Sequence, residues 1–269
     1  MSSARQPALF LPHGGGPCFF IDWTWGPPDT WLKTQHFLES LAATLPAAPK
    51  AIVVISGHWE EPAFTTGAAA QPRLIYDYSG FPEHTYRLSW PAPGYPALAA
   101  RVAEILKQAG LPAATDATRG YDHGVFVPLK VAFPQAEIPV VTLSLAASLD
   151  PALHLAAGRA LAPLRDEGIL IVGSGMSFHN LRAYFQPATA ERARAFDAWL
   201  TQAVESPAAE RDAKLNHWRE APFADFAHPR EEHLIPLLVA AGAGGTAAGA
   251  RVFTDEPMGA AISAYRFDG

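Results

Sequence analysis

The tightest constraint on the fold is a set of nearly unbroken apolar runs, each too short for a helix: ALFL at residues 8–11, AIVVI at 51–55, VVTLSL at 140–145 and ILIV at 169–172. A strand with one wet face alternates apolar and polar side chains, whereas a strand covered on both faces reads as a continuous, β-branched stretch. RVFT at 251–254 is a fifth, weaker run. Helical patterns lie between the runs, at residues 30–45, 95–109, 151–165 and 188–204. This alternation predicts an α/β fold with a mostly parallel central sheet flanked by helices on both faces.

At 269 residues, with 49% hydrophobic and 17% charged positions, the chain has the composition of one folded domain spanning 1–269, alone or as a homo-oligomer. The net charge is −6 and the basic residues are scattered, which argues against nucleic acid as a partner. No segment resembles a signal peptide or approaches the roughly 20 apolar residues of a membrane span, so a cytoplasmic location without a membrane partner is expected. Cys18 is the sole cysteine, which excludes an internal disulfide and a multi-thiolate zinc site. It reads as a buried thiol, and any metal must be held by histidines and carboxylates.

Residues 76–96, YDYSGFPEHTYRLSWPAPGYP, are dense in aromatics and chain breakers. They form a structured excursion, and loops of that length are often functional. Among ten histidines, position separates the candidates. His13 follows ALFLP, His58 follows AIVVISG, His179 follows ILIVGSGMSF, and His123 sits in the glycine-bounded loop GYDHG. In open α/β sheets, residues just past the carboxyl ends of the strands converge on one crevice. His233 lies in HPREEHLIPLLVAAGAG, which reads as a helix with Pro229 near its first turn and Gly242 just past its end.

A single histidine after a strand is more often a turn residue bonded to nearby backbone than a ligand. Several together describe an imidazole site, and His13, His58 and His233 form the proposed ligand set for zinc or non-haem iron. The glycines at 14–16 and in GSG at 173–175 match no phosphate-binding spacing, and read as permissive backbone that lets a ligand or dioxygen come close. His36, His154 and His217 lie on predicted helices and read as surface residues. His84 and His228, in loops, are weaker candidates for the pocket wall.

Taken in order, LPHGGGP, ISGHWEE, YDYSGFPEHTYRLSWPAPG, GYDHGVFVPLK, GSGMSFHNL and EEHLIPLLVAAGA resemble the DOPA-dioxygenase type of the class III extradiol ring-cleavage dioxygenases, nearly end to end. The resemblance implies an α/β core, a non-haem metal centre and oxidative opening of a catechol ring beside its two hydroxyls. It places the metal on His13, His58 and His233, makes His179 the active-site base, and makes His123 a hydrogen-bond donor beside the metal. The wider class III group uses two histidines and a glutamate, whereas EEHLIPL puts His233 where the carboxylate is expected. Glu232 therefore stands as an alternative ligand.

Ferrous iron is the metal expected for activity, with zinc possible as the ion bound, and a catechol and dioxygen as the small-molecule partners. Trp59, Tyr121 and Phe126, which flank the histidines, are candidates to stack on the ring or to pack the core. Arg73, Arg182 and Arg230 are candidates to meet a substrate carboxylate. Two other readings are a zinc hydrolase built on the same three histidines and a non-catalytic metal-binding member of the fold.

Overall fold

The computed structural model describes residues 4–269. The runs become β1 (Ala8–Pro12), β2 (Ala51–Glu61), β5 (Val140–Ala146), β6 (Ile169–Gly175) and β7 (Ala250–Asp255), joined by β3 (Phe64–Gly67), β4 (Ala113–Asp116) and β8 (Ile262–Phe267). All eight form one sheet in the order β4-β3-β5-β2-β6-β1-β8-β7. The inner strands β5, β2, β6 and β1 are mutually parallel, while β3 meets β5, and β8 meets β1 and β7, in antiparallel pairs.

The missing alternation has a direct cause. Val53 and Ile55 of β2 enter one apolar cluster and Ile52 and Val54 the other; Ile171 and Leu170 of β6 divide the same way, as do Phe10 and Leu9 of β1. Helices α2 (Pro96–Gln108), α4 (Pro151–Leu161), α5 (Thr189–Glu205) and α8 (Ile235–Ala243) contribute to the first cluster, and α1 (Leu32–Ser40) and α3 (His123–Ala132) to the second. Two further helices, α6 (Ala208–Asn216) and α7 (Ala224–Ala227), lie between α5 and α8 in the chain. No helix among the described residues is long and apolar enough to cross a membrane.

Local chemistry sets the helix starts. Pro151 opens α4 behind Asp150, whose carboxylate accepts from the N–H of Ala152 at 2.8 Å. The helix expected from Pro229 begins instead at Ile235, so His233 sits in the turn before α8. His123, expected in a loop, is the first residue of α3. Inside α3, Pro128 lacks the N–H that would bond the carbonyl of Gly124, and the hydroxyl of Ser174 at the end of β6 donates to that carbonyl instead.

Candidate metal centre and cavity

Parallel pairing carries the histidines together. Leu11 of β1 and Ser56 of β2 both lie level with Ser174 of β6, so His13 and His58 project two residues past one common row. His179 follows β6, and His123 and His233 approach from α3 and the turn before α8. Gly175 permits that turn to close in, because a β-carbon there would stand 2.1 Å from the His233 carbonyl oxygen.

The Nε2 of His58 lies 3.2 Å from the Nε2 of His13 and 3.2 Å from that of His233. Each ring has an acceptor near its other nitrogen. His233 Nδ1–H donates to Glu232 Oε1 at 2.9 Å, Ser174 Oγ lies 3.4 Å from His13 Nδ1, and Asp77 Oδ2 is 3.7 Å from His58 Nδ1. With protons on the Nδ1 atoms, the Nε2 lone pair of His58 faces those of His13 and His233. Nitrogens each about 2.1 Å from one ion stand about 3.0–3.4 Å apart for right-angled to tetrahedral geometry, so the observed spacing fits a single cation. Burial, then repulsion from neighbouring histidines, holds His13 and His58 well below the ordinary imidazole value. Burial also takes His233 down to about 4, against the opposing pull of Glu232. All three are neutral near pH 7, the form that binds metal.

Among the described residues, His13, His58 and His123 bring one potential ligand atom each within 4.8 Å of one another, as do His179, Glu232 and His233. The two groups meet at the His58–His233 contact. His123 is tied outward: Asp77 Oδ1 accepts from its Nδ1–H at 2.8 Å and from its backbone N–H at 2.9 Å. Burial raises the Asp77 pKa, but the bonds to His123 leave it lowered overall.

Glu232, the alternative ligand, stands in the second group, on the Nδ1 side of His233 and His179. Its Oε1 accepts from His233 and lies 3.3 Å from His179 Nδ1, and the His179 and His233 rings stack with centroids 3.4 Å apart. Burial opposes its ionisation, yet the hydrogen bonds from His179 and His233 hold it well below the usual carboxylate range. Sequence reasoning found neither this double acceptance nor Asp77.

Above the histidines opens a cavity of about 370 Å³. Trp23, Trp25 and Trp31 line it from the segment before α1, Tyr78 and Phe81 from the 76–96 excursion, and Leu181, Tyr184 and Phe185 from the segment after β6. The expected stacking residues do not line it. Trp59, next to His58 on a strand, points to the opposite face and stacks under the Arg119 guanidinium. Tyr121 is buried and donates to the carbonyl of Val140 at 3.0 Å, and Phe126 is in the core.

The arginine candidates also lie outside the cavity. Arg230 forks onto both carboxylate oxygens of Glu60, Arg182 lines an adjoining hollow, and Arg73 is exposed elsewhere. His36 and His217 are exposed as expected, but His154 is fully buried, with Phe64 against its ring and its Nε2 accepting from the N–H of Ala146. His228 is buried between Phe196 and Trp218 and donates to the Ser177 carbonyl, and His84 donates to the Phe20 carbonyl. Neither lines the cavity. Cys18 is buried beneath Gly14, whose positive φ forms the turn after β1; burial pushes the thiol far up, which suits packing rather than nucleophilic chemistry.

A family model described as the catalytic LigB subunit of aromatic ring-opening dioxygenase matches residues 7–267. The chain is 40% identical over 98% of its length to "Dioxygenase tasH" of Hapsidospora irregularis, covering 86% of that protein. It is also 40% identical over 97% of its length to "4,5-DOPA dioxygenase extradiol" of Beta vulgaris, covering 96% of it. The protein of the same description from Escherichia coli K12 is 37% identical over 90% of this chain and 87% of its own. A crystal structure of an uncharacterised Escherichia coli K12 protein superposes with a TM-score of 0.79 at 31% identity, covering 98% of this chain and 100% of that one. With this match across nearly its whole length, the chain belongs to the LigB family of aromatic ring-opening dioxygenases and is a metal-dependent extradiol dioxygenase.

Proposed function

We propose that the chain, as one catalytic domain, opens the ring of a catechol with dioxygen, using ferrous iron held by His13, His58 and His233. The observation that carries this reading is that His58 Nε2 lies 3.2 Å from the Nε2 atoms of both His13 and His233 beneath an aromatic-walled cavity. Iron supplies the electron exchange that dioxygen requires and a common point for the diol and the oxidant; zinc has no such redox chemistry. One ring carbon–carbon bond beside the diol breaks and both oxygen atoms enter the product, giving an aldehyde and a carboxylic acid.

The protein's own groups handle protons and orientation. Glu232 holds the Nδ1–H of His179, so Nε2 of His179 carries the free lone pair and takes the proton of a catechol hydroxyl. The same carboxylate offsets the imidazolium that results. Asp77 supports a proton on His123 likewise, and His123 donates toward negative charge growing on the reduced oxidant. The aromatic walls keep water from the reacting ring.

Protein stripped of metal and reloaded anaerobically with ferrous iron is expected to consume oxygen with DOPA or a related catechol and to give a yellow ring-opened product. The zinc-loaded form is expected to bind catechol without turnover. His13→Ala, His58→Ala and His233→Ala are expected to lose bound metal with unchanged circular dichroism. Full metal content in all three variants, or oxygen uptake by none of the catechols tested, overturns the proposal.

A further inference from the structure

The cavity that receives the ring offers no partner for a charge. Among the described residues no lysine, arginine, aspartate or glutamate lines it, and above the histidine floor its walls are aromatic and aliphatic. The hydroxyls of its tyrosines are turned to the protein: Tyr78 donates to the Thr85 carbonyl at 2.7 Å and Tyr184 to the Phe178 carbonyl at 3.4 Å. Two indole N–H groups of the wall, on Trp23 and Trp31, are buried without a partner among the described residues. Walls made of such neutral groups do not compensate a buried carboxylate.

The rim continues the pattern. Trp25 is 50% exposed, Leu181 70% and Phe185 61%, and all three border this one opening. Aromatic contacts run inward from it, Trp25 to Phe81 at 5.4 Å, Phe81 to Tyr78 at 5.5 Å and Tyr78 to His123 at 5.9 Å. Exposed apolar side chains gathered at a pocket mouth mark a surface that an apolar ligand covers. Arg182 and Arg230 do not line the cavity; they stand in the adjoining hollow, which shares His179 and Leu181 with it, and there Arg230 is occupied by Glu60.

We propose that the substrate is a catechol bearing an uncharged, largely apolar substituent that lies along the Trp25–Phe81 wall and crosses the rim at Leu181 and Phe185, rather than one bearing an amino-acid or carboxylate side chain. This rests on the reading of the site as a catechol dioxygenase.

The test compares dihydroxyphenylpropionic acid with its methyl ester, L-DOPA with its methyl ester carrying an acetylated amine, and para-alkylcatechols of increasing length. Turnover is read as kcat/KM on iron-loaded protein, and binding is read anaerobically on zinc-loaded protein by quenching of tryptophan fluorescence. The esters are expected to exceed their acids by tenfold or more in both readouts. Each added methylene is expected to strengthen binding about fourfold until the chain clears the rim. Leu181→Arg, at an exposed position, is expected to narrow or reverse the ester preference.

Acids that equal or exceed their esters overturn the inference while leaving the dioxygenase reading in place. An acid advantage removed by Arg182→Ala would assign the carboxylate to that arginine. Failure of every catechol to bind or react would overturn the underlying reading as well.

Discussion

Glu232→Gln separates the ligands of the centre from what orients them. One carboxylate oxygen accepts from His233 at 2.9 Å and lies 3.3 Å from His179 Nδ1, so the substitution keeps shape and an acceptor but removes the charge. Charge-assisted hydrogen bonds are worth about 1.5–3 kcal/mol against about 0.5–1.5 for neutral ones, so His233 loses about 1 kcal/mol or slightly more as a basic ligand. That corresponds to metal binding weakened by about tenfold, the lower end for loss of a ligand's hydrogen-bonding partner. For His179 the loss is larger, because the imidazolium formed on proton uptake no longer faces an anion. At 3.3 Å and an effective dielectric constant near 20, that attraction is about 5 kcal/mol. If half or more is expressed in the transition state, kcat falls about a hundredfold to a thousandfold. Glu232 does not line the cavity, so KM should stay within a few-fold. Chelator competition gives the metal affinity, and steady-state kinetics at saturating ferrous iron give the kcat and KM split. Failure to bind a stoichiometric ion at any metal concentration would make Glu232 a ligand, and a kcat within threefold of wild type would refute its action through His179.

His179→Ala is expected to keep its metal and bind catechol while kcat falls by about a hundredfold to ten-thousandfold, measured by oxygen uptake beside elemental analysis. His154 and His228 are lowered by burial from 6.5 to about 4 and about 3, so the unfolded chain takes up protons first. Their contribution is complete above about pH 6.5 and declines below it, by about 2 kcal/mol for each at pH 5; His154→Asn should remove about 2 kcal/mol of the stability difference between pH 7.5 and pH 5 in urea titrations. Arg165, fully buried, donates to the carbonyls of Gln6, Ala243 and Phe267, tying the start of β1 to the ends of α8 and β8. Arg165→Met should therefore lower the urea-derived stability by about 3–5 kcal/mol, with metal content per folded molecule unchanged.

The inner sheet was legible because covering both faces removes polar alternation. Val53 and Val54 face opposite clusters and both must be apolar. Strands β3 and β4, at one edge, escaped for the complementary reason. AATD of β4 exposes its two central residues, and FTTG of β3 is half threonine, with no apolar run to announce it. In α3, Pro128 and Gly124 both disguise a helix whose missing bond is supplied by Ser174, a residue fifty positions away.

The site was legible where chemistry and strand position coincide, at the histidines, and illegible where it depends on packing between distant segments. Aromatics adjacent to the histidines in sequence were natural candidates for the wall, yet alternation along β2 sends Trp59 to the face opposite His58. Much of the wall comes instead from segments that are not adjacent to a histidine, such as residues 23–31 and Phe81 of the 76–96 excursion. Asp77 likewise reaches His123 across 46 positions, from an excursion whose aromatics, breakers and length marked it as structured without singling out this carboxylate. The glycines of GSG show the same limit from the other side. They were read as room for a ligand, but a β-carbon on Gly173 would meet the Pro236 carbonyl oxygen at 2.2 Å and one on Gly175 the His233 carbonyl oxygen at 2.1 Å. What those glycines admit is the protein's own chain, the turn that carries His233 to within 3.2 Å of His58.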